Sequence, residues 1–147
     1  MVISISADER VGIALELEPI LEALGHTTLG YGVFGRQGPR LDWAGASRAV
    51  AEDVASGRAE LGIVCCWTGT GASIAANKVA GVRAALCGDG ETASGARLWN
   101  DANVLALSLR QTSTVMLREI LDAWFKAQPS EDPDDLRPLN RLKADDR

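Results

Sequence analysis

The chain has one histidine, His26, in 147 residues. A Ser–His–Asp triad and a zinc site of the usual type are therefore not expected. His26 stands between "EALG" and "TTLGYG", where a helix ends and a strand begins, and reads as structural. Cysteine is also sparse. Cys65, Cys66 and Cys87 form an odd set without a C-x-x-C spacing, which argues against a disulfide framework and a structural metal. A disulfide between the vicinal Cys65 and Cys66 would be strained. No run of about 18 uncharged apolar residues is present, and Met1 leads into "VISIS" without a basic segment. Neither a transmembrane helix nor a signal peptide is predicted, and the expected compartment is the cytosol. Positive charge is in deficit, with a net charge of -5. Nucleic acid and anionic membranes are thus poor partners, although a few arginines suffice for a small anion.

What is present is a repeating unit in a chain that is 46% hydrophobic, enough for one domain with a real core. "VISIS" (2–6) reads as a strand. "VGIALELEPILEALG" (11–25) reads as a helix whose Ile13, Leu17, Ile20, Leu21 and Leu24 share a face. The alternation continues through strands 27–32, 60–66, 82–87 and 103–108 and helices 43–57, 71–81, around 91–98 and 112–128. Near-continuous apolar strands alternating with helices predict an α/β fold, a five-stranded parallel sheet covered on both faces. After Gln128 the composition turns to proline and charge, so the domain is set at 1–127 and a tail at 128–147. Two readings of the tail stand open. It is a solvated end, or an arm onto a partner subunit, with Arg137 and Arg141 sharing a helical face.

In such sheets ligands collect beyond the carboxyl ends of the strands where the winding reverses, commonly between strands one and three. "ADERVG" (7–12) and "CCWTGTG" (65–71) meet there. The glycine loop invites a nucleotide reading, and that reading fails on residues. No G-x-x-x-x-G-K-[ST] occurs, and Ile74 stands where a dinucleotide fingerprint needs a small residue. A small-anion nest at a helix start survives. A nest beside Cys66 suits enolate chemistry, in which a base removes a proton next to a carbonyl and donors hold the oxygen that becomes negative. A thiol near a helix start has a raised thiolate fraction. On spacing alone Cys66 is either that base or a small hydrophobe closing a buried strand. Cys65 should point to the opposite face and pack, as should Cys87.

The stretch "C-x-T-G-x-G-x-S-I-A-A-N-K-x-x-G-x-R-A-A-L-C" followed by "N-D-A-N-V-L-A-L" resembles the ribose-5-phosphate isomerase type B family, which includes the galactose-6-phosphate isomerase subunits. The resemblance runs ungapped over about residues 1–127 and is densest from Cys66 to Leu107. It implies a Rossmann-like three-layer sandwich, a homodimer with sites at its interface, no cofactor, and aldose–ketose isomerisation of a phosphorylated sugar through an enediol. Residue by residue it implies Cys66 as the base with Thr68 beside it. Gly69, Gly71 and Ser73 become the loop that holds the enediolate, and Asn100 and Asp101 become site residues. Arg110 matches an arginine after the last strand, while Arg137 and Arg141 match phosphate ligands only loosely.

Several positions depart from the family. Where members show Asp-His, this chain has Glu9 and Arg10, which read either as substrate and phosphate contacts or as surface charge at a turn. The histidine credited with opening the furanose ring falls at Trp99, whose indole donates a hydrogen bond but shuttles no proton. A glycine after the catalytic cysteine is Trp67, and an aromatic-rich segment reads Asp42, Trp43, Ala44, Gly45, Ala46. Trp67 and Trp99 either touch substrate or pack on each other or a partner. Without a ring opener the expected substrate is an open-chain phosphosugar. A tetrose 4-phosphate qualifies, and so does a 2-keto pentose 5-phosphate, because the oxygen that would close the ring is esterified. The alternatives are an ordinary ribose-5-phosphate isomerase and a non-catalytic phosphosugar-binding subunit.

Overall fold

In the computed structural model, which describes residues 1–36 and 40–146, β1 (Val2–Ala7) lies inside a five-stranded parallel sheet of order β2-β1-β3-β5-β4. The other strands are β2 (Thr27–Gly32), β3 (Leu61–Cys66), β4 (Ala84–Leu86) and β5 (Val104–Ser108). The chain winds outward from β1 to β2, then crosses back to β3. The reversal therefore falls between β1 and β3, as the sequence predicts.

Alternation along the strands makes the three layers. Ile3, Ile5 and Ala7 of β1, Ile63 and Cys65 of β3, and Leu105 and Leu107 of β5 pack in one cluster. That face is covered by α1 (Leu17–Ala23), α4 (Gly90–Asn100) and α5 (Thr114–Lys126). The alternate residues Val64, Cys66, Val104 and Ala106 meet α2 (Trp43–Ala55) and α3 (Thr70–Ala76) on the opposite face. Helix starts follow from caps. Asp42 accepts from Gly45 N–H at 2.8 Å, Asp89 from Thr92 N–H at 2.7 Å and Ser113 from Met116 N–H at 3.1 Å; each such cap is worth about 1 kcal/mol.

Three elements differ from the sequence reading. The helix expected over 11–25 is a 3-10 turn (Gly12–Leu15) followed by α1. Pro19 has no N–H to return to Leu15, so an uninterrupted ladder cannot pass it. The third helix stops at Ala76 because the Asn77 amide donates to the Ser73 and Ala84 carbonyls and accepts from Ala84 N–H, tying the chain to β4. Beyond Gln128, α6 (Pro133–Ala144) forms on an Asp132 cap and packs on α4, burying Leu139. Ser130 N–H donates to Leu98 O at 2.8 Å, and Lys143 pairs with Asp101 at 2.8 Å. Arg147 of the tail lies outside the described residues.

Candidate active site

β3 ends at Cys66 and α3 starts at Thr70, so the intervening turn must be tight. Gly69 caps α3 with φ +76, and a Cβ there would lie 2.5 Å from Leu86 Cδ1 and 2.9 Å from Leu107 C. Conformation and space both require glycine. Gly71 is favoured by space alone, since a Cβ there would stand 3.0 Å from the Trp43 ring. The turn is pinned to β5. Gly69 and Leu109 N–H groups donate to the Cys66 carbonyl at 3.2 and 3.0 Å. Arg110 N–H and Ser108 Oγ donate to the Trp67 carbonyl at 3.0 and 2.9 Å.

This framework holds the thiol in place. Cys66 is 6% exposed, and Ala72 N–H donates to its Sγ at 3.4 Å. A backbone donor aimed at sulfur supports negative charge there. Thr68 Oγ1 and Thr70 Oγ1 are hydrogen-bonded at 2.7 Å. The other two cysteines have no such setting. Burial, with Cys66 and Asp8 nearby, holds the Cys65 thiol far above its ordinary range. Burial and then Asp89 push Cys87 up to about 11. Both remain protonated at neutral pH and pack in the core.

The site residues predicted from sequence fall at two ends of the sheet. At the carboxyl end stand Cys66, Trp67, Thr68, Gly69, Gly71 and Arg110, with Glu9 and Arg10 exposed on the loop after β1. Trp67 is 52% exposed. Ser73 lies within α3, and its hydroxyl donates to Ala84 O at 3.5 Å, toward β4. At the amino end stand Trp99 and Asn100, both exposed, and Asp101 with φ 45. Asp101 Oδ2 accepts from Arg83 at 3.1 Å and Lys143 at 2.8 Å. Arg137 pairs with Asp134 at 2.6 Å on α6, and Arg141 is exposed on the same helix. Cys66 is level with Ser108 and Gly62 with Val104, so the β5 span alone sets the two groups about 13 Å apart. One copy of the chain does not bring Trp99, Asn100 or the α6 arginines to Cys66.

A cavity of about 800 Å³ runs along the outer edge of β2 and includes Arg10, Arg36, Arg40 and Arg58. Cys66 and Thr68 do not line it. Arg36 and Arg58 in its wall are paired with Glu18 and Asp53. Two residues absent from the sequence-based site enter here. Trp43 walls the loop at Gly71; its position directly after the Asp42 cap was the available signal. Asp8 has an oxygen shielded from solvent and unpartnered among the described residues. Among those residues no three His, Cys, Asp or Glu side chains gather to hold a metal ion, and no helix is long and apolar enough to cross a membrane.

Residues 3–142 match the family described as Ribose/Galactose Isomerase, a stretch that extends past Gln128 into α6. Galactose-6-phosphate isomerase subunit LacB of Clostridium acetobutylicum is 36% identical over 151 residues, spanning 100% of this chain and 86% of that protein. D-erythrulose-4-phosphate isomerase of Pectobacterium atrosepticum is 42% identical over 79 residues, 54% of this chain and 52% of that one. Ribose-5-phosphate isomerase B of Clostridium thermocellum superposes with a TM-score of 0.86 at 35% identity, covering 98% of this chain and 96% of that structure. A five-stranded α/β fold with a pinned thiol at its switch point, matched over nearly its whole length, places this chain in the ribose/galactose isomerase family, as a sugar-phosphate isomerase.

Proposed function

We propose that the chain interconverts the aldose and ketose forms of an open-chain phosphorylated sugar, a tetrose or pentose phosphate, with Cys66 as the base that moves the carbon-bound proton. The observation that carries this reading is the Ala72 N–H aimed at Cys66 Sγ, in a turn whose carbonyls are tied to β5. Thr68 and the Gly69–Gly71 backbone hold the enediolate oxygen, a contribution of about 3 kcal/mol for one such donor. Arg10 and Arg110 lie at the same end and offer fixed guanidinium donors to phosphate. The open-chain preference is supported by Trp99 in place of a proton-shuttling histidine, and by the likeness to a D-erythrulose-4-phosphate isomerase. The reading needs no cofactor, and sparse, unpaired cysteine usage supports a cytosolic location. A second copy of the chain completes the site, supplying Trp99, Asn100, and Arg137 and Arg141 of the tail arm. The support is that one copy keeps these residues at the far end of the sheet from Cys66.

A second reading, isomerisation of ribose 5-phosphate with Glu9, Arg10 or solvent assisting ring opening, is favoured by the full-length likeness to a ribose-5-phosphate isomerase B structure. Proton NMR in deuterated water decides between them, with a panel of four-, five- and six-carbon sugar phosphates and the wild-type and Cys66→Ser proteins. Exchange and conversion confined to an open-chain substrate, and reduced at least about 100-fold by the substitution, is the expected result. Conversion of ribose 5-phosphate at the faster rate selects the second reading. Binding of phosphosugars with no exchange in wild type leaves a non-catalytic subunit.

A further inference from the structure

Cys66, the last residue of β3, is level with Ser108, the last residue of β5, on the neighbouring strand about 4.8 Å away. Val104 and Ala106 of β5 pack on the α2/α3 face with Cys66, so alternation within the strand turns Ser108 to that face as well. A serine needs a reason there. It is 5% exposed and closes a strand otherwise made of valine, leucine and alanine. Burying a hydroxyl is unfavourable unless its hydrogen bonds are made. Both are made, and both go to backbone at the site. Ser108 Oγ donates to the Trp67 carbonyl at 2.9 Å and accepts from Gln111 N–H at 3.1 Å.

The first of these bonds gains weight from what else holds the turn. Gly69 and Leu109 N–H groups donate to the Cys66 carbonyl, and Arg110 N–H donates to the Trp67 carbonyl. Those donors are main-chain groups that almost any residue supplies. Among the described residues, Ser108 supplies the one side-chain donor to these two carbonyls. Its second bond fixes the turn after β5, where Thr112 N–H also donates to the Ser108 carbonyl at 3.1 Å. One hydroxyl thus joins the turn that carries Cys66 to the turn that carries Arg110. Ala72 N–H reaches Cys66 Sγ at 3.4 Å from α3, so a shift of the peptide that follows Cys66 changes the aim of the sulfur against its donor.

We propose that Ser108 is a positioning residue of the isomerase, whose hydroxyl acts through the Trp67 carbonyl to aim the Cys66 sulfur at the substrate carbon. This rests on the reading of Cys66 as the base. Ser108 is buried and its proton is spent on Trp67, so the hydroxyl itself offers nothing to the sugar. Its removal should therefore slow proton transfer and leave binding alone. A misplacement of about 1 Å costs up to about 100-fold in rate, and a turn still held by Arg110 N–H should lose less, about tenfold.

The experiment measures kcat and KM on the sugar phosphate that the wild type converts out of the four-, five- and six-carbon panel, with proton exchange in deuterated water read alongside. The proteins are wild type, Ser108→Ala, Ser108→Thr, Ser108→Cys and Cys66→Ser, each rate being normalised to the folded fraction from circular dichroism. In Ser108→Ala, kcat should fall about tenfold, and by no less than about threefold, while KM stays within about twofold. Threonine keeps the hydroxyl and cysteine keeps a weaker donor without an added methyl, so at least one of them should exceed alanine in kcat by about threefold or more. A merely structural serine would lower stability and leave kcat per folded molecule unchanged. A smaller fall in Ser108→Ala, a loss carried by KM, or equal losses in all three Ser108 variants overturns the assignment of Ser108 and leaves that of Cys66 standing. Wild-type exchange by Cys66→Ser, or a wild type that converts no member of the panel, overturns the underlying reading instead.

Discussion

At the amino end of the sheet Asp53 accepts from Ser4, Tyr31 and Arg58, and Asp101 accepts from Arg83 and Lys143. At the carboxyl end Asp8 has a shielded oxygen without a partner among the described residues, Trp67 is half exposed, and the hydrogen bonds fix the backbone around Cys66. The carboxylates of Asp53 and Asp101 are thus held by several donors at one end, whereas at the other an oxygen of Asp8 is left over among the described residues. Substitutions at the two ends should therefore separate stability from turnover.

The largest expected effect is at the amino end. Asp53 is 2% exposed and holds three donors, so Asp53→Ala strands Ser4, Tyr31 and Arg58 together. We expect a loss of about 4 kcal/mol of unfolding free energy in urea titration, with turnover per folded molecule unchanged. A fall in turnover at temperatures where the variant is folded would break the division between the ends.

Next come the loop glycines, which sharpen the contrast at the carboxyl end. Gly69→Ala imposes φ +76 on a side chain and drives its Cβ into Leu86 and the Leu107 backbone. It should cost about 2–3 kcal/mol and most of the activity. Gly71→Ala meets only the ring of Trp43, itself 44% exposed and able to move. It should cost under about 1 kcal/mol while raising KM, because the displaced ring is a wall of the site. Equal stability losses for the two would mean that the ring of Trp43 cannot yield.

These contrasts show what could be read in advance. The sheet and its winding reversal were legible, because strands buried on both faces read as near-continuous apolar runs between helical segments. Gly69 was legible because a tight strand-to-helix turn at that reversal needs glycine, whereas spacing alone left Cys66 as either a base or a small hydrophobe closing a buried strand. Pro19 was in plain view, yet the apolar period over 11–25 masked the ladder bond it removes. Asp8 stands in the loop 7–12 that the sequence placed at the switch point, but nothing there singled it out, since alternation becomes uncertain once a strand ends. The α6 helix was hidden by charge and Pro138, with Leu139 the single side chain that buries well. Trp99 and Asn100 were grouped with Cys66 by the resemblance alone. Whether a second copy of the chain supplies them is a property of assembly, not of local pattern.

Smaller effects are expected where a pair at the amino end is open to water. Lys143 is 41% exposed and its partner Asp101 is also held by Arg83. Lys143→Ala should therefore change stability by no more than about 0.5 kcal/mol. If α6 is an arm that reaches a partner copy, the same substitution weakens that copy's turnover and leaves the stability of the chain intact. Sedimentation alongside kinetics would distinguish the two, since loss of turnover without dissociation would place the fault in the arm.

The smallest effect is at His26, where β2 begins and the ring lies 4.8 Å from Phe125. Burial, followed by the charge of the chain's amino terminus, lowers its pKa below the ordinary 6.5, and Glu60 opposes this. The unfolded chain then binds a proton that the folded chain refuses. The stabilisation is complete above pH 6.5 and is lost as the pH falls through the lower, folded value. The ring is largely solvated, so after screening the loss should be within about 0.3 kcal/mol, or near 1 °C in Tm. His26→Gln removes the titration and also the ring contact. The test is therefore the difference in Tm between pH 7.5 and 5.0 for the two proteins, rather than either Tm alone. A variant that loses more on acidification than wild type would reverse the sign and point to Glu60, not burial, as the dominant influence on the histidine.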